Sequence, residues 1–155
     1  MEENINIIKA AVTGVVAMLT TLWGWFGWLV ILWFACMALD YGTGSAVALR
    51  TGNWSSKAAR DGIWHKLGSV VAVLVAGILD LTIGTILANI PAVTLPFDYS
   101  VFFCPLVVIW YILTECGSIT ENAASLGAPL PSWLAKALAI LKTKVDDTMD
   151  TGDGE

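Results

Sequence analysis

Apolar side chains recur along this chain in four stretches, separated by short polar or Gly- and Pro-rich segments. In the first, Ile5, Ile8, Val12, Val15, Leu19 and Leu22 fall at spacings of three and four, while Asn6, Lys9, Thr13 and Thr20 form a separate polar stripe. That periodicity predicts an amphipathic helix over residues 1–22. Such a helix either lies in a membrane interface or crosses with its stripe facing a water-filled lumen; the plainer alternative is an ordinary fourth span. The segment Trp23-Gly24-Trp25-Phe26-Gly27-Trp28 reads as an interfacial aromatic anchor and a helix break. Three apolar segments follow, at 27–49, 67–89 and 99–118, the first interrupted by Asp40 and Tyr41-Gly42-Thr43-Gly44-Ser45. Beyond the breaker Gly127-Ala128-Pro129-Leu130-Pro131, residues Trp133 to Val145 read as a short amphipathic helix.

Composition turns these segments into membrane spans. The 155 residues are 57% hydrophobic and 14% charged, against about 25% charged in an ordinary soluble domain. No charged side chain occurs between Lys9 and Asp40, a run longer than the roughly 20 residues a helix needs to cross the hydrocarbon core. The expected fold is therefore an all-α integral membrane protein with three transmembrane helices. An N-terminal amphipathic helix, itself the candidate for a fourth span, precedes them and a short C-terminal amphipathic helix follows. By region, residues 1–22 form the first helix and 23–120 the membrane domain. Residues 121–145 are the cytoplasmic Pro-break and amphipathic helix, and 146–155 a disordered acidic tail rich in Asp, Thr and Gly.

Charge sets the expected orientation. The loop from Arg50 to Lys66 carries four of the eight Lys and Arg residues, Arg50, Lys57, Arg60 and Lys66, whereas the loop Ile90–Asp98 has none. Basic loops are retained on the cytoplasmic side, which places 50–66 there, and with it the C-terminus, in a multi-pass protein of the bacterial cytoplasmic membrane. Trp54 and Trp64 are candidate interfacial anchors at the edges of the basic loop. The net charge of −5 argues against nucleic-acid binding. The start Met1-Glu2-Glu3-Asn4 lacks the basic n-region of a secretory signal, so the apolar segments are expected to be retained.

Two sets of residues within the spans suggest mechanism. Gly68, Ala72, Ala76, Asp80, Gly84 and Ala88 recur at strict four-residue intervals. Small residues at that spacing let helices approach closely in lipid, so the set is a candidate packing or oligomerisation surface, within one subunit or between subunits. Asp40, Asp80 and Glu115 are acids in apolar segments, and a carboxylate near a bilayer centre costs at least roughly 2.5–3.5 kcal/mol. Each should face protein or water. They either line a polar seam that forms or gates a pore, or they make interhelical hydrogen bonds and ion pairs, with Arg60, His65 or Lys66 as partners. Cys36, Cys104 and Cys116 have no metal-ligand or redox spacing and read as packing residues. Lone His65 cannot complete a catalytic or zinc site. No enzyme, cofactor or metal is expected.

Across most of its length the chain resembles the toxin-secretion/phage-lysis holins, which include phage holins of Gram-positive hosts and the holin-like protein linked to export of large clostridial toxins. The resemblance is carried, in order, by Asp40-Tyr41-Gly42-Thr43-Gly44 at the end of an apolar helix, by Asp61-Gly62-Ile63 and Lys66, and by Asp80. It continues with Glu115, Ser118, Glu121 and Asn122, and then Pro129 and Pro131 before a final helix. Cys116-Gly117 depart from the family's pattern within the fourth element. The resemblance implies a homo-oligomer, surrounded by membrane lipid, that opens a lesion through which an endolysin or, in some relatives, a toxin escapes. Export without lysis is the alternative. A small ion-coupled transporter using Asp80 is a reading of another class, weakened by the lack of an internal repeat.

Overall fold

The computed structural model describes residues 2–95 and 99–150 and, within its helices, not the side chains at 2–3, 15–16, 18–23 and 149–150. The side chains of Thr20 in the expected polar stripe, of Val15, Leu19 and Leu22 in the apolar one, and of Trp23 are thus not described, and Pro96, Asp98 and tail residues 151–155 lie outside the described residues. The described chain forms five helices: α1 Glu2–Trp23, α2 Trp25–Arg50, α3 Ser56–Asn89, α4 Phe103–Ser125 and α5 Ser132–Asp150. Three of them, α2, α3 and α4, are long and apolar enough to cross a membrane. The protein is an all-α membrane protein.

The helix ends follow from local chemistry. Gly24, at φ 54°, takes a left-handed conformation that residues with a Cβ resist and separates α1 from α2. At the start of α3, the Ser55 hydroxyl accepts from the Ala58 backbone N–H at 3.0 Å, a typical N-cap. Gly127, at φ 94°, ends α4, and the Pro-containing turn behind it sends α5 back along α4, its sole helical neighbour among the described residues.

Several boundaries differ from those expected. α2 begins two residues before the expected 27–49 span and ends one after it, and Asp40-Tyr41-Gly42-Thr43-Gly44, which the resemblance set at the end of an apolar helix, lies inside it. Most of the expected basic loop is the first part of α3, leaving only 51–55 as a connection. At 1.5 Å per residue the 34-residue α3 is about 51 Å long, well beyond the roughly 30 Å hydrocarbon core. Its charged N-terminal third must project from the apolar layer. α4 begins at Phe103 and runs to Ser125, later at both ends than the expected 99–118. Residues 146–150, assigned above to a disordered tail, are the last turn of α5.

The bundle is built on one repeated spacing. The buried residues of α2 are Phe26, Val30, Trp33 and Met37, with Gly27 and Cys36 beside them. Those of α3 are Ser69, Val73, Ala76 and Asp80. α4 contributes Cys104, Val108 and Glu115, with half-buried Tyr111 packed against the same core. Each helix thus presents a four-three-four seam, the coiled-coil spacing that keeps successive side chains on one line of contact. Trp33 and Val108 are fully buried at the centre, and the Trp33 ring stacks on Tyr111 with centroids 5.8 Å apart. Gly77 sits at the contact of α3 with α4 beside Ala76, where a Cβ would stand 3.7 Å from Cys104 Sγ in ordinary van der Waals contact.

α1 stands apart. Among the described residues it packs only on α2, and Asn6, Lys9 and Thr13 of its polar stripe and Ile5, Ile8 and Val12 of its apolar stripe are all exposed.

Candidate functional site

Two polar centres interrupt the apolar bundle, and both are anchored on α3. Lys66, the last residue of the expected basic segment and about three turns into α3, extends its ammonium between α2 and α4. Its Nζ lies 2.9 Å from Asp40 Oδ2 and 2.6 Å from Glu115 Oε2. One cation thus joins the three spanning helices. The other Asp40 oxygen accepts from Asn122 Nδ2 at 3.1 Å, and the same amide reaches Thr43 Oγ1 at 3.1 Å. Gly44 lies beside this bond: a Cβ there would meet Asn122 Nδ2 at 3.5 Å, an ordinary van der Waals contact. Charge-assisted bonds of this kind are the strong class, and satisfied charges are what a low-dielectric surrounding requires. The three charges leave a net −1, with every member paired.

The clamp forms part of the wall of a cleft of about 840 Å³ between α2, α3 and α4, whose rim includes Tyr41, Trp54, His65, Ser118 and Glu121. At the same end Arg50 Nη1 donates to the Leu126 carbonyl, tying the end of α2 to the turn after α4.

The second centre is Asp80. It lies 14 residues farther along α3, or about 21 Å, and is 3% exposed. Its carboxylate accepts from the backbone N–H groups of Phe102 and Phe103 on Oδ1, at 3.1 and 2.9 Å, and of Cys104 on Oδ2, at 2.7 Å. The Tyr99 hydroxyl donates to the same Oδ1. The first N–H groups of any helix lack internal acceptors, and Phe102, at the N-cap position of α4, offers no side-chain acceptor. Asp80 supplies it from a different helix, and its negative charge also suits the positive end of the α4 dipole. Burial and the hydrogen bond to Asp80 push the Tyr99 phenol up to about 12.

The residues singled out from sequence divide accordingly. Asp40, Lys66, Glu115 and Asn122 meet in one clamp, Gly44 packs against it, and Ser118 and Glu121 line the same cleft. Lys66, of the three candidate partners, is the one that pairs the two acids. Gly42 has open space where its Cβ would be, and Pro129 and Pro131 lie in the α4–α5 turn. Of the four-residue stripe, Ala76 and Asp80 are buried, Ala72 and Gly84 half-buried, and Gly68 and Ala88 exposed. A strict four-residue repeat advances about 40° per step around a 3.6-residue helix, so its ends turn away from the face its middle occupies. Sequence reasoning did not find Tyr99, nor the hydrogen bond that the Trp110 indole Nε1 on α4 donates to Asp146 Oδ1 on α5 at 2.7 Å. No local pattern marks either, because each depends on which helices lie side by side.

The architecture defines a helical membrane protein whose intramembrane charges are used to clamp and cap its own helices. The chain belongs to the bacteriophage holin family, whose sequence model matches residues 17–143, a family of non-enzymatic membrane proteins. It is 32% identical over 136 residues to an uncharacterised protein of Halalkalibacterium halodurans, covering 88% of this chain and 94% of that one. It is likewise 32% identical over 144 residues to an uncharacterised 14.9 kDa protein from the nagH 3' region of Clostridium perfringens, covering 93% and 99%. An uncharacterised Listeria innocua protein is 28% identical over 147 residues, 95% of each chain. No solved structure matches the chain.

Proposed function

We propose that this holin assembles in the bacterial cytoplasmic membrane into a homo-oligomeric lesion that releases an endolysin and lyses the cell. Membership of the holin family over residues 17–143 is the observation that carries the reading. The geometry adds support. The charged end of α3, the Lys66 clamp and Arg50 gather at one end of the bundle, and basic residues favour the cytoplasmic side. Segment 50–66 and the entry to the C-terminal segment then face the cytoplasm, while the loop between α3 and α4 faces outward. Internal pairing of Asp40, Lys66 and Glu115 gives each subunit a stable three-helix unit. The apolar outer face of α3, with Val71, Leu74, Val75 and Ile78 exposed, is left for lipid or a second subunit, and Gly68 and Ala88 lie open for close approach.

The test is inducible expression in a bacterium beside a cytoplasmic endolysin that lacks a signal sequence. An abrupt loss of membrane potential followed by lysis is expected. Unchanged potential and growth at full expression would sink the reading. Loss of a co-expressed large toxin to the medium without lysis would replace it by export.

A further inference from the structure

α3 carries two seams. The one that builds the subunit runs along Ser69, Val73, Ala76 and Asp80. On the opposite side Trp64, Leu67, Val71, Leu74 and Ile78 recur at spacings of three and four, and every one of them is exposed. At about 100° per residue this second line stands roughly 180° from the first. Such spacing keeps side chains on one line of contact with a neighbouring helix, yet among the described residues nothing covers it. Arg60, one turn before Trp64, continues the line past the apolar layer.

Apolar side chains alone would suit lipid equally well. What selects a protein partner is the height of two charges. Lys66 and Glu115 meet at 2.6 Å, where the charged third of α3 leaves the apolar layer. Arg60 lies six residues beyond Lys66 toward the start of α3, and Glu121 six residues beyond Glu115 toward the end of α4. The two helices are antiparallel, since Asp80 receives the start of α4 while Lys66 meets its second half. Both charges therefore stand about 9 Å outside the clamp. Both are exposed, and among the described residues neither belongs to an ion pair. Subunits inserted the same way in one membrane present them to each other at one height.

Glu121 lines the cleft between α2, α3 and α4, together with Tyr41 and Trp54. With Asp40, Glu115 and Glu121 against Lys66, that cleft bears a formal charge of −2. An arginine suits it, because a guanidinium pairs with carboxylate through two parallel bonds and stacks on aromatic faces. The volume of about 840 Å³ leaves room for an indole beside it. Lys57 and Asp61, one turn apart at the edge of the exposed line, offset each other and leave Arg60 as its uncompensated charge.

We infer that the outer line of α3 in one subunit docks at the cleft of the next, with Arg60 paired to Glu121 and Trp64 entering beside Tyr41 and Trp54. The giving and receiving patches differ, so the contact is heterologous and repeats from subunit to subunit in a ring or an open array. The inference rests on the homo-oligomeric reading and names the surface it uses.

The full chain in vesicles of phosphatidylethanolamine and phosphatidylglycerol tests it. Arg60→Glu and Glu121→Arg should each lower the yield of cross-linked oligomer severalfold, and the two combined in one chain should restore it. In a second arm, with Cys116→Ser throughout, Arg60→Cys chains are mixed with Glu121→Cys chains and treated with a short bifunctional thiol reagent. A cross-linked dimer should form in the mixture and from neither chain alone. Oligomer indifferent to both charge reversals, or a dimer formed equally by Arg60→Cys chains alone, overturns the inference. Wild-type chain that stays monomeric in the vesicles fails the homo-oligomeric reading and the inference with it. Charge-dependent oligomer that never permeabilises the vesicles leaves the interface standing and fails the lesion reading alone.

Discussion

Lys66 Nζ stands 2.6 Å from Glu115 Oε2, a contact between residues 49 positions apart that joins the start of one spanning helix to the second half of the next. Asp40 shares the same ammonium from a third helix. In lipid, apolar helices gain little from mutual contact over contact with acyl chains, so this triad and its hydrogen bonds specify how α2, α3 and α4 register.

Lys66→Met should therefore be severely destabilising. It removes the cation and leaves Asp40 and Glu115 facing each other with one asparagine amide as donor. Breaking a buried pair costs about 3–5 kcal/mol, and the loss here should fall at the lower end because Lys66 and Asp40 each remain 20% exposed. Lys66→Arg should recover part of it. Thermal unfolding in detergent, followed by helix signal, measures both. A Lys66→Met protein as stable as wild type would show that the clamp contributes nothing.

Substitutions along the four-residue stripe should separate folding from assembly. Ala76 is buried inside the subunit, 6% exposed, so Ala76→Leu overpacks the core at a cost of about 1–3 kcal/mol and lowers monomer stability. Gly68 and Ala88 face outward, and no atom lies within 4 Å of a Cβ built at Gly68. Gly68→Leu and Ala88→Leu should keep wild-type unfolding while reducing cross-linked oligomer in membranes. Equal loss of monomer stability in all three would mean the stripe has no outward function.

Asp80 makes the clearest case for a capping acid within a span. Asp80→Asn retains one acceptor oxygen but turns the other into a donor, aimed at the Cys104 N–H that Oδ2 now receives. Loss of a cap costs about 0.5–2 kcal/mol, and a buried unpaired donor about 1–3 kcal/mol. The N-terminal turn of α4 should fray, seen as faster amide exchange at Phe103 and Cys104, while the Lys66 end of the bundle keeps its protection. A selective ion flux abolished by this substitution, with α4 unaltered, would instead favour a transporter role.

The pattern of apolar segments was enough to place the helices, since long uncharged runs permit little else. What sequence could not rank was the competition among faces of α3. The small residues at Gly68, Ala72, Ala76, Gly84 and Ala88 are conspicuous, yet the helix packs along Ser69, Val73, Ala76 and Asp80, a seam that only the matching seams of α2 and α4 select. Asp40, Glu115 and Lys66 were legible as charges needing partners, because isolated charge in an apolar segment is costly. The partner of Asp80 was not, since backbone N–H groups of another helix leave no trace in side-chain identity. The length of α5 was likewise hidden: acids at 146, 147 and 150 look like a solvated tail until Trp110 provides a donor for Asp146.

Tyr99, in the loop before α4, gives the Asp80 centre a pH signature. The hydroxyl must be protonated to donate to the carboxylate, and in the folded protein its pKa stands at about 12 against a usual 10.0. A raised folded-state pKa means that the contribution is complete below pH 10 and is lost as the pH climbs toward 12, because the unfolded chain ionises first. Tyr99→Phe should lower stability by about 0.5–1.5 kcal/mol, the net worth of one hydrogen bond, or up to about 3 kcal/mol for a charged acceptor. The gap between wild type and variant should be flat from pH 7 to pH 9 and shrink above pH 10. Paired denaturant titrations at each pH, in the same detergent, measure that gap directly. A gap that is absent at neutral pH, or that widens with alkalinity, would show that Tyr99 does not hold Asp80.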